Sequence, residues 1–179
     1  MILTTGAASV GPADIVERAW AAAGIRTLFW KVAMRPGKPV RFGLLASATN
    51  GSAPIPCFAL PGNPLAVVSG FERFVRPALD RLRGREPSPP VRVRVPLELG
   101  CDVGDRAWFA RGRIVGDGAA ARFRFDPKQG SGMLKQAASG GGVAVLAPRQ
   151  VPLAAGDEVD VETDAHGLRG RSVRIVDVG

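Results

Sequence analysis

Tyrosine is absent from the 179 residues, histidine occurs once and cysteine twice, and aromatic content is only 6%. Each scarcity removes a class of function. A single histidine, His166 near the C-terminus, leaves no partner set for a nucleophile–base–orienter arrangement. Cys57 and Cys101 stand far apart in different segments, without metal-binding spacing. They could be joined, but the apolar surroundings of Cys57 favour packed, reduced thiols. No apolar run reaches the length of a membrane span. The opening MILTTGAASVG lacks a basic leader and meets glycine at Gly6, unlike a secretory signal, so the expected location is cytoplasmic. Nucleic acid is a poor partner despite the positive charge: there is no basic run, no recognised motif and little aromatic surface for stacking.

What is present is an ordinary globular composition, 46% hydrophobic and 22% charged, with a net charge of +8 and a pI near 10.9. The charge is uneven, +6 over residues 1–84 and +2 over residues 85–179. An anionic small molecule bound in the first half fits this field.

Hydrophobic periodicity divides the chain at GREPSPP, residues 84–90, which reads as a linker. Before it, strands are expected at residues 2–5, 27–34, 40–45 and 55–60. A helix follows Pro12 along the face of Ile15, Val16, Ala19, Trp20 and Ala23, stopping at Gly24. Asn63 is a good N-cap and Pro64 a good first residue for a second helix running to about Arg83, with Pro77 expected to kink or break it. Strand–helix alternation predicts an α/β layer with a parallel sheet. After the linker, short strands are expected at 91–95, 108–115, 121–125, 143–147 and 158–162, a helical turn at 132–138, and a small β-barrel or sandwich overall. Residues 165–179 read as a tail, in which 171–178 alternates like a strand without an evident partner.

Two loops join a strand to a helix through small residues: residues 6–11, containing Gly6, Ser9 and Gly11, and Pro61-Gly62-Asn63-Pro64. Unpaired backbone N–H groups and the helix dipole favour an oxyanion at such places. Small residues are needed in any tight strand-to-helix turn, so each loop alone says little. Lys31, Arg35 and Lys38 surround the turn at residues 35–39 and could clamp the oxygens of phosphate or another oxyanion, or form a solvated basic turn. Asp14, in the first turn of the first helix, suits the dipole and could also ligate Mg²⁺. Such a set works by positioning and electrostatics rather than covalent catalysis.

Taken together, three strings carry a resemblance. LTTGAASVGPAD at residues 3–14, FWKVAMRPGKP at 29–39 and LPGNP at 60–64 followed by FERFVRPAL at 71–79 resemble, in order and spacing, the molybdopterin molybdenumtransferases, the MoeA and gephyrin E-domain family. QGSGML at 129–134, residues 143–148 and AGDEV at 155–159 resemble the family's small C-terminal β-domain. The resemblance implies an α/β fold: part of a three-layer molybdopterin-binding domain of the MoaB/Mog type over residues 1–84, a linker at 85–90, a β-barrel domain over 91–164 and a tail at 165–179.

It also implies insertion of molybdate into adenylylated molybdopterin with Mg²⁺. Asp14, Lys31 and Arg35 would be catalytic, with Asp14 the metal ligand. Gly6, Ser9, Gly11, Lys38, Pro61, Gly62, Asn63, Pro64, Arg111 and Ser131 would hold the pterin and molybdate. Three departures stand out. Ala7-Ala8 replaces the family's Gly-Val after Gly6, Leu65-Ala66 replaces Val-Ser after Pro64, and the segments that precede this stretch in the family are not in the chain. An open sheet edge at the first strand is therefore expected, to be covered by a homodimer partner or by an N-terminal segment. The alternative function is a non-catalytic module that binds molybdopterin, an oxyanion or a partner protein.

Overall fold

A computed structural model describes residues 1–6, 15–49, 51–126, 141–163 and 174–176. Two compact units emerge. One comprises Met1–Val32 and Pro36–Pro87, the other Ala33–Arg35 and Ser88–Gly179.

In the first unit, β1 (Ile2–Thr5), β2 (Ile25–Trp30), β4 (Arg41–Leu45) and β5 (Ile55–Leu60) form a sheet in the order β1-β5-β4-β2. Side chains alternate across β5. Cys57 and Ala59 pack with Val16 and Trp20 of α1 (Ile15–Ala22), while Phe58 and Leu60 face Val40, Val67, Phe71 and Val75. A strand buried on both faces reads as a continuous apolar run because helices cover both sides. The result is helix, sheet, helix in three layers. α1 stops where Gly24 takes a φ of +70°, open to glycine at little cost.

The parallel sheet expected from strand–helix alternation is corrected. Only β1 and β5 run parallel; β4 is antiparallel to both β5 and β2. Parallel neighbours need a crossover of a dozen or more residues, and the loop between β4 and β5 is too short to supply one. The strand expected over residues 27–34 is also divided. Lys31 takes a φ of +67°, which ends β2 at Trp30, and Met34–Arg35 forms β3 in the other unit.

The long helix breaks as expected, through a π turn. α2 (Pro64–Gly70) passes through a wide turn at Phe71–Val75, where the Arg76 N–H donates to the Phe71 carbonyl, into α3 (Arg76–Leu82). Pro77 lacks an N–H and its ring would crowd the carbonyl four residues back; an extra residue in the preceding turn relieves both. Gly70 lets the helix lie close to the sheet, since a Cβ there would come within 2.9 Å of Leu60 Cδ2.

The second unit is built from strands. β3 (Met34–Arg35), β6 (Val91–Pro96), β7 (Ala107–Val115), β9 (Gly142–Leu146), β10 (Glu158–Thr163) and β11 (Arg174–Val176) lie in the order β11-β6-β10-β9-β7-β3, with β8 (Arg122–Phe125) on β7. A bridge between Leu97 and Phe123, with the Glu98 N–H donating to the Phe123 carbonyl at 2.9 Å, links the end of β6 to β8 and curls the sheet toward a barrel. Phe123 is fully buried, among Val93, Val95, Leu97, Ile114 and Val161. Arg92 pairs with the buried Glu162, and Arg94 with Asp160, across the β6–β10 register. Part of the stretch read as a tail belongs to this sheet, because Arg174–Val176 pairs with β6. The helical turn expected at 132–138 lies outside the described residues.

The Glu98 carboxylate chelates the Arg124 guanidinium, and this hydrogen bond holds its pKa below the ordinary 4.5. A depressed native pKa contributes stability above the unfolded value that disappears as pH falls through the native one. Glu98→Gln should therefore flatten the acid limb of the second unit's stability, read as urea midpoints between pH 7 and 3; an unchanged limb would show that the pair contributes nothing.

Candidate functional site

The register of the first unit's sheet aligns Thr4 with Ala59, Ala59 with Arg41 and Arg41 with Trp30. Just beyond this row, at the same end of the sheet, four segments far apart in sequence emerge together: Gly6 after β1, Pro61 to Pro64 after β5, the turn at 36–39 before β4, and Lys31 after β2. For the parallel pair this is the carboxyl end, where ligands bind in open α/β sheets. Three strand spacings, about 14 Å, separate the β1 side from the β2 side.

Gly6 and Gly62 build the β1 side. The Gly6 N–H donates to the Leu60 carbonyl at 3.1 Å, which carries the β1–β5 pairing one residue further. Gly6 has a φ of +84°, and a Cβ on Gly62 would lie 3.5 Å from Gly6 Cα, so the two loops touch. Pro61 is buried, whereas Gly62 is exposed. Asn63 caps α2: its Oδ1 accepts the Leu65 N–H at 3.0 Å and its carbonyl accepts the Val67 N–H, with Pro64 in the first turn. The cap takes up one of the donors that an anion would use, leaving the exposed backbone around Gly62 as the approach. Ala66 is only 4% exposed, so its methyl is packed.

Lys31 and Lys38 build the β2 side. The Lys31 N–H donates to the Val40 carbonyl at 3.1 Å and the Val32 N–H to the Lys38 carbonyl at 2.8 Å, so the turn carrying Lys38 is tied back against Lys31. Both side chains are exposed. Lys31 is the single non-glycine residue at positive φ among the described residues. Such a conformation persists only where its surroundings hold it, and often marks a site.

Arg35, expected beside these lysines, is counted with the second unit. Its guanidinium lies 3.9 Å over the Trp108 ring and donates to the Asp102 carbonyl at 3.0 Å. Trp108 stacks in turn on Phe125. Arg111 is half-buried on β7 opposite Val143. Ser9, Gly11, Asp14 and Ser131 lie outside the described residues. No group of three or more His, Cys, Asp or Glu side chains able to hold a metal occurs among the described residues.

Sequence reading missed Arg41. It is 3% exposed, its guanidinium lies 4.6 Å from the Trp30 ring centre and 5.9 Å from that of Trp20, and it pairs with Glu17 at 3.5 Å. A buried cation needs compensation of this kind. Position alone hides it, because Arg41 reads as the polar start of an ordinary strand; only its cross-strand pairing with Trp30 would have given it away. Both cysteines are free, and burial pushes the Cys57 and Cys101 thiols above their ordinary pKa, which suits packing rather than nucleophilic attack.

The family described as "Probable molybdopterin binding domain" matches residues 1–81, and "MoeA C-terminal region (domain IV)" matches residues 102–163. A molybdopterin molybdenumtransferase of Synechococcus elongatus is 37% identical over 91% of the chain and 38% of its own length. One from Nostoc is 34% identical over 89% of the chain and 36% of its own length. A solved molybdopterin biosynthesis MoeA protein from Pyrococcus horikosii superposes with a TM-score of 0.67 at 24% identity, covering 91% of the chain and 37% of that protein, a likeness of fold. The chain thus spans under two fifths of the length of these curated relatives.

The loop geometry sorts three substitutions. Gly6→Ala forces a side chain into the left-handed region and should cost about 1–2 kcal/mol. Asn63→Ala loses a cap and should cost about 1 kcal/mol. Gly62→Ala meets only an ordinary van der Waals contact and should be nearly neutral. Urea unfolding of the three variants measures this order.

Proposed function

Since the chain belongs to the molybdopterin molybdenumtransferase family, we propose that it provides part of a site in which molybdate is inserted into adenylylated molybdopterin. The observation that carries the proposal is the shared end of the sheet, where the Gly6–Gly62 loops and the Lys31–Lys38 pair are about 14 Å apart. An elongated ligand with several anionic groups fits that spacing, whereas a single small anion would use one side only. Gly62 and Asn63 would take phosphate oxygens on backbone N–H groups, with Gly6 leaving room for their approach because its own N–H is bonded to Leu60, joined by Ser9 and Gly11 of the loop that Gly6 opens. Lys31 and Lys38 offer ammonium groups to the other anionic end. The first unit's excess of positive charge draws the ligand in.

The chemistry such residues supply is orientation and charge neutralisation. Backbone donors and lysines would hold the phosphates and the oxyanion while water cleaves the phosphoanhydride, releasing the adenylate as AMP, and the dithiolene sulfurs bind molybdenum with molybdate oxygen departing as water. Magnesium, carried by Asp14 and the substrate phosphates, would supply further neutralisation. Arg35 in this scheme acts through the fold, by its stack on Trp108, and Arg111 and Ser131 are the second unit's candidates for molybdate. Binding without turnover is the second reading, favoured by one observation: Ala66 places a packed methyl where the family has a serine hydroxyl.

A partner strand completes the proposal. β1 ends the sheet order, and Ile2 and Leu3 are 39% and 40% exposed. An edge that is open among the described residues and carries apolar side chains invites strand addition, by a second copy in a homodimer or by an N-terminal segment. Sedimentation velocity should show association rising with concentration; a sharp monomer boundary at every concentration would argue against it.

Titration calorimetry tests the site itself. Molybdate and adenylylated molybdopterin, with and without Mg²⁺, should bind saturably. Lys31→Ala should weaken binding about tenfold, the value of one charge-assisted contact. Gly62→Ala should weaken it while leaving the fold intact. Binding indifferent to both changes would overturn the placement.

A further inference from the structure

We infer that Trp30 is the positioning residue for Lys31: its indole ring seats the ammonium group, and the buried Arg41 holds the ring in place. The inference rests on the assignment of Lys31 to the anion site and goes beyond it in naming what aims that lysine.

Lys31 Nζ lies 4.0 Å from the centre of the Trp30 ring and Arg41 Cζ lies 4.6 Å from it. A lysine side chain on an exposed turn normally samples many rotamers, at an entropy cost whenever a ligand fixes it. Here two constraints shorten that search. The backbone at Lys31 is held at a φ of +67° by its hydrogen bond to Val40, which sets the direction of the side chain. The ring then attracts the ammonium through its quadrupole, more strongly for tryptophan than for any other side chain.

The ring is itself fixed, and not by its own polar atom. Trp30 Nε1 is buried and makes no hydrogen bond among the described residues. A buried donor left in that state is unfavourable, so another interaction keeps the ring where it is. Arg41 supplies it. The guanidinium stands directly across the β2–β4 pair from Trp30, is buried, lies near Trp20 of α1 and reaches Glu17. Lysine, ring, guanidinium, second ring and carboxylate thus form one chain of contacts running from the site into the three-layer core. Every member belongs to the first unit.

A seat of this kind prepares Lys31 for an anion without forming any contact to the anion itself. The indole also leaves the ammonium's N–H donors available, because the ring face accepts charge rather than a specific hydrogen bond.

The test joins a spectroscopic and a binding measurement on the intact chain. The four lysines are few enough to assign. The ε-methylene protons of Lys31 should be shifted upfield by the ring current in the native protein, remain partly shifted in Trp30→Phe and return to the ordinary lysine position in Trp30→Leu. Inorganic pyrophosphate and molybdate, titrated separately, should bind about two- to fivefold more weakly to Trp30→Leu, with Trp30→Phe restoring most of the loss. In the Lys31→Ala background, Trp30→Leu should cause no further loss, because the ring acts through the lysine.

Three results would overturn the inference. The upfield shift could be missing in the native protein. The losses from Trp30→Leu and Lys31→Ala could multiply, which would make Trp30 a packing residue only. Or Trp30→Phe could bind as poorly as Trp30→Leu. Failure of the underlying assignment looks different: Lys31→Ala would bind both anions as well as the native protein does, although the native protein itself shows the ring-current shift, and the positioning role would fall with it.

Discussion

The parallel pairing of β1 with β5 is the constraint on which the first unit depends. Two strands separated by some fifty residues, which carry α1, β2 and β4, close a long loop when they pair, and that loop closure is compensated by burial on both faces of β5. The pairing runs on through the Gly6 N–H to the Leu60 carbonyl, so the loops after both strands leave the sheet at the same level and come into contact. Had β1 slipped by one residue, the apolar faces would have exchanged and the glycines would no longer meet. The contact between the two glycine loops is therefore a by-product of strand register.

A second theme is the pairing of scarce aromatics with abundant cations. Each of the three tryptophans carries at least one: Arg41 near Trp20, Lys31 and Arg41 over Trp30, and Arg35 over Trp108. In a chain with net charge +8, carboxylates are too few to partner every arginine, and flat rings are an alternative that tolerates partial burial. The two units use it differently. In the first, the stack leads from the core to an exposed lysine. In the second, it pins the short β3 strand, together with the Asp102 carbonyl, against β7 and Phe125.

Local patterns foretold much of this. The strand at 55–60, the Asn63 cap, the disturbance at Pro77 and the Gly24 stop follow from rules that act within a few residues, and each is found where those rules place it. Lys31 shows where such rules end. Its neighbours form an apolar run like that of a continuous strand, so nothing nearby signals a left-handed turn, which goes with a hydrogen bond from the Lys31 N–H to the Val40 carbonyl. Arg35 sits four residues away and looks like a natural companion, yet that turn delivers it to another sheet. Arg41 was invisible for the opposite reason, since an arginine opening a strand usually points to solvent.

By itself, then, the sequence determined the layered α/β half, the strand-rich second half and the two glycine loops, because periodicity, capping and turn chemistry are local and the family's strings are contiguous. Strand direction, the division of the basic cluster between two units, the incorporation of residues 174–176 into a sheet and the burial of Arg41 between tryptophans were decided only in the tertiary structure. Each of these depends on which distant segment supplies the partner for a hydrogen bond or a charge. That choice is made by the whole chain as it packs, and no short stretch of residues carries it.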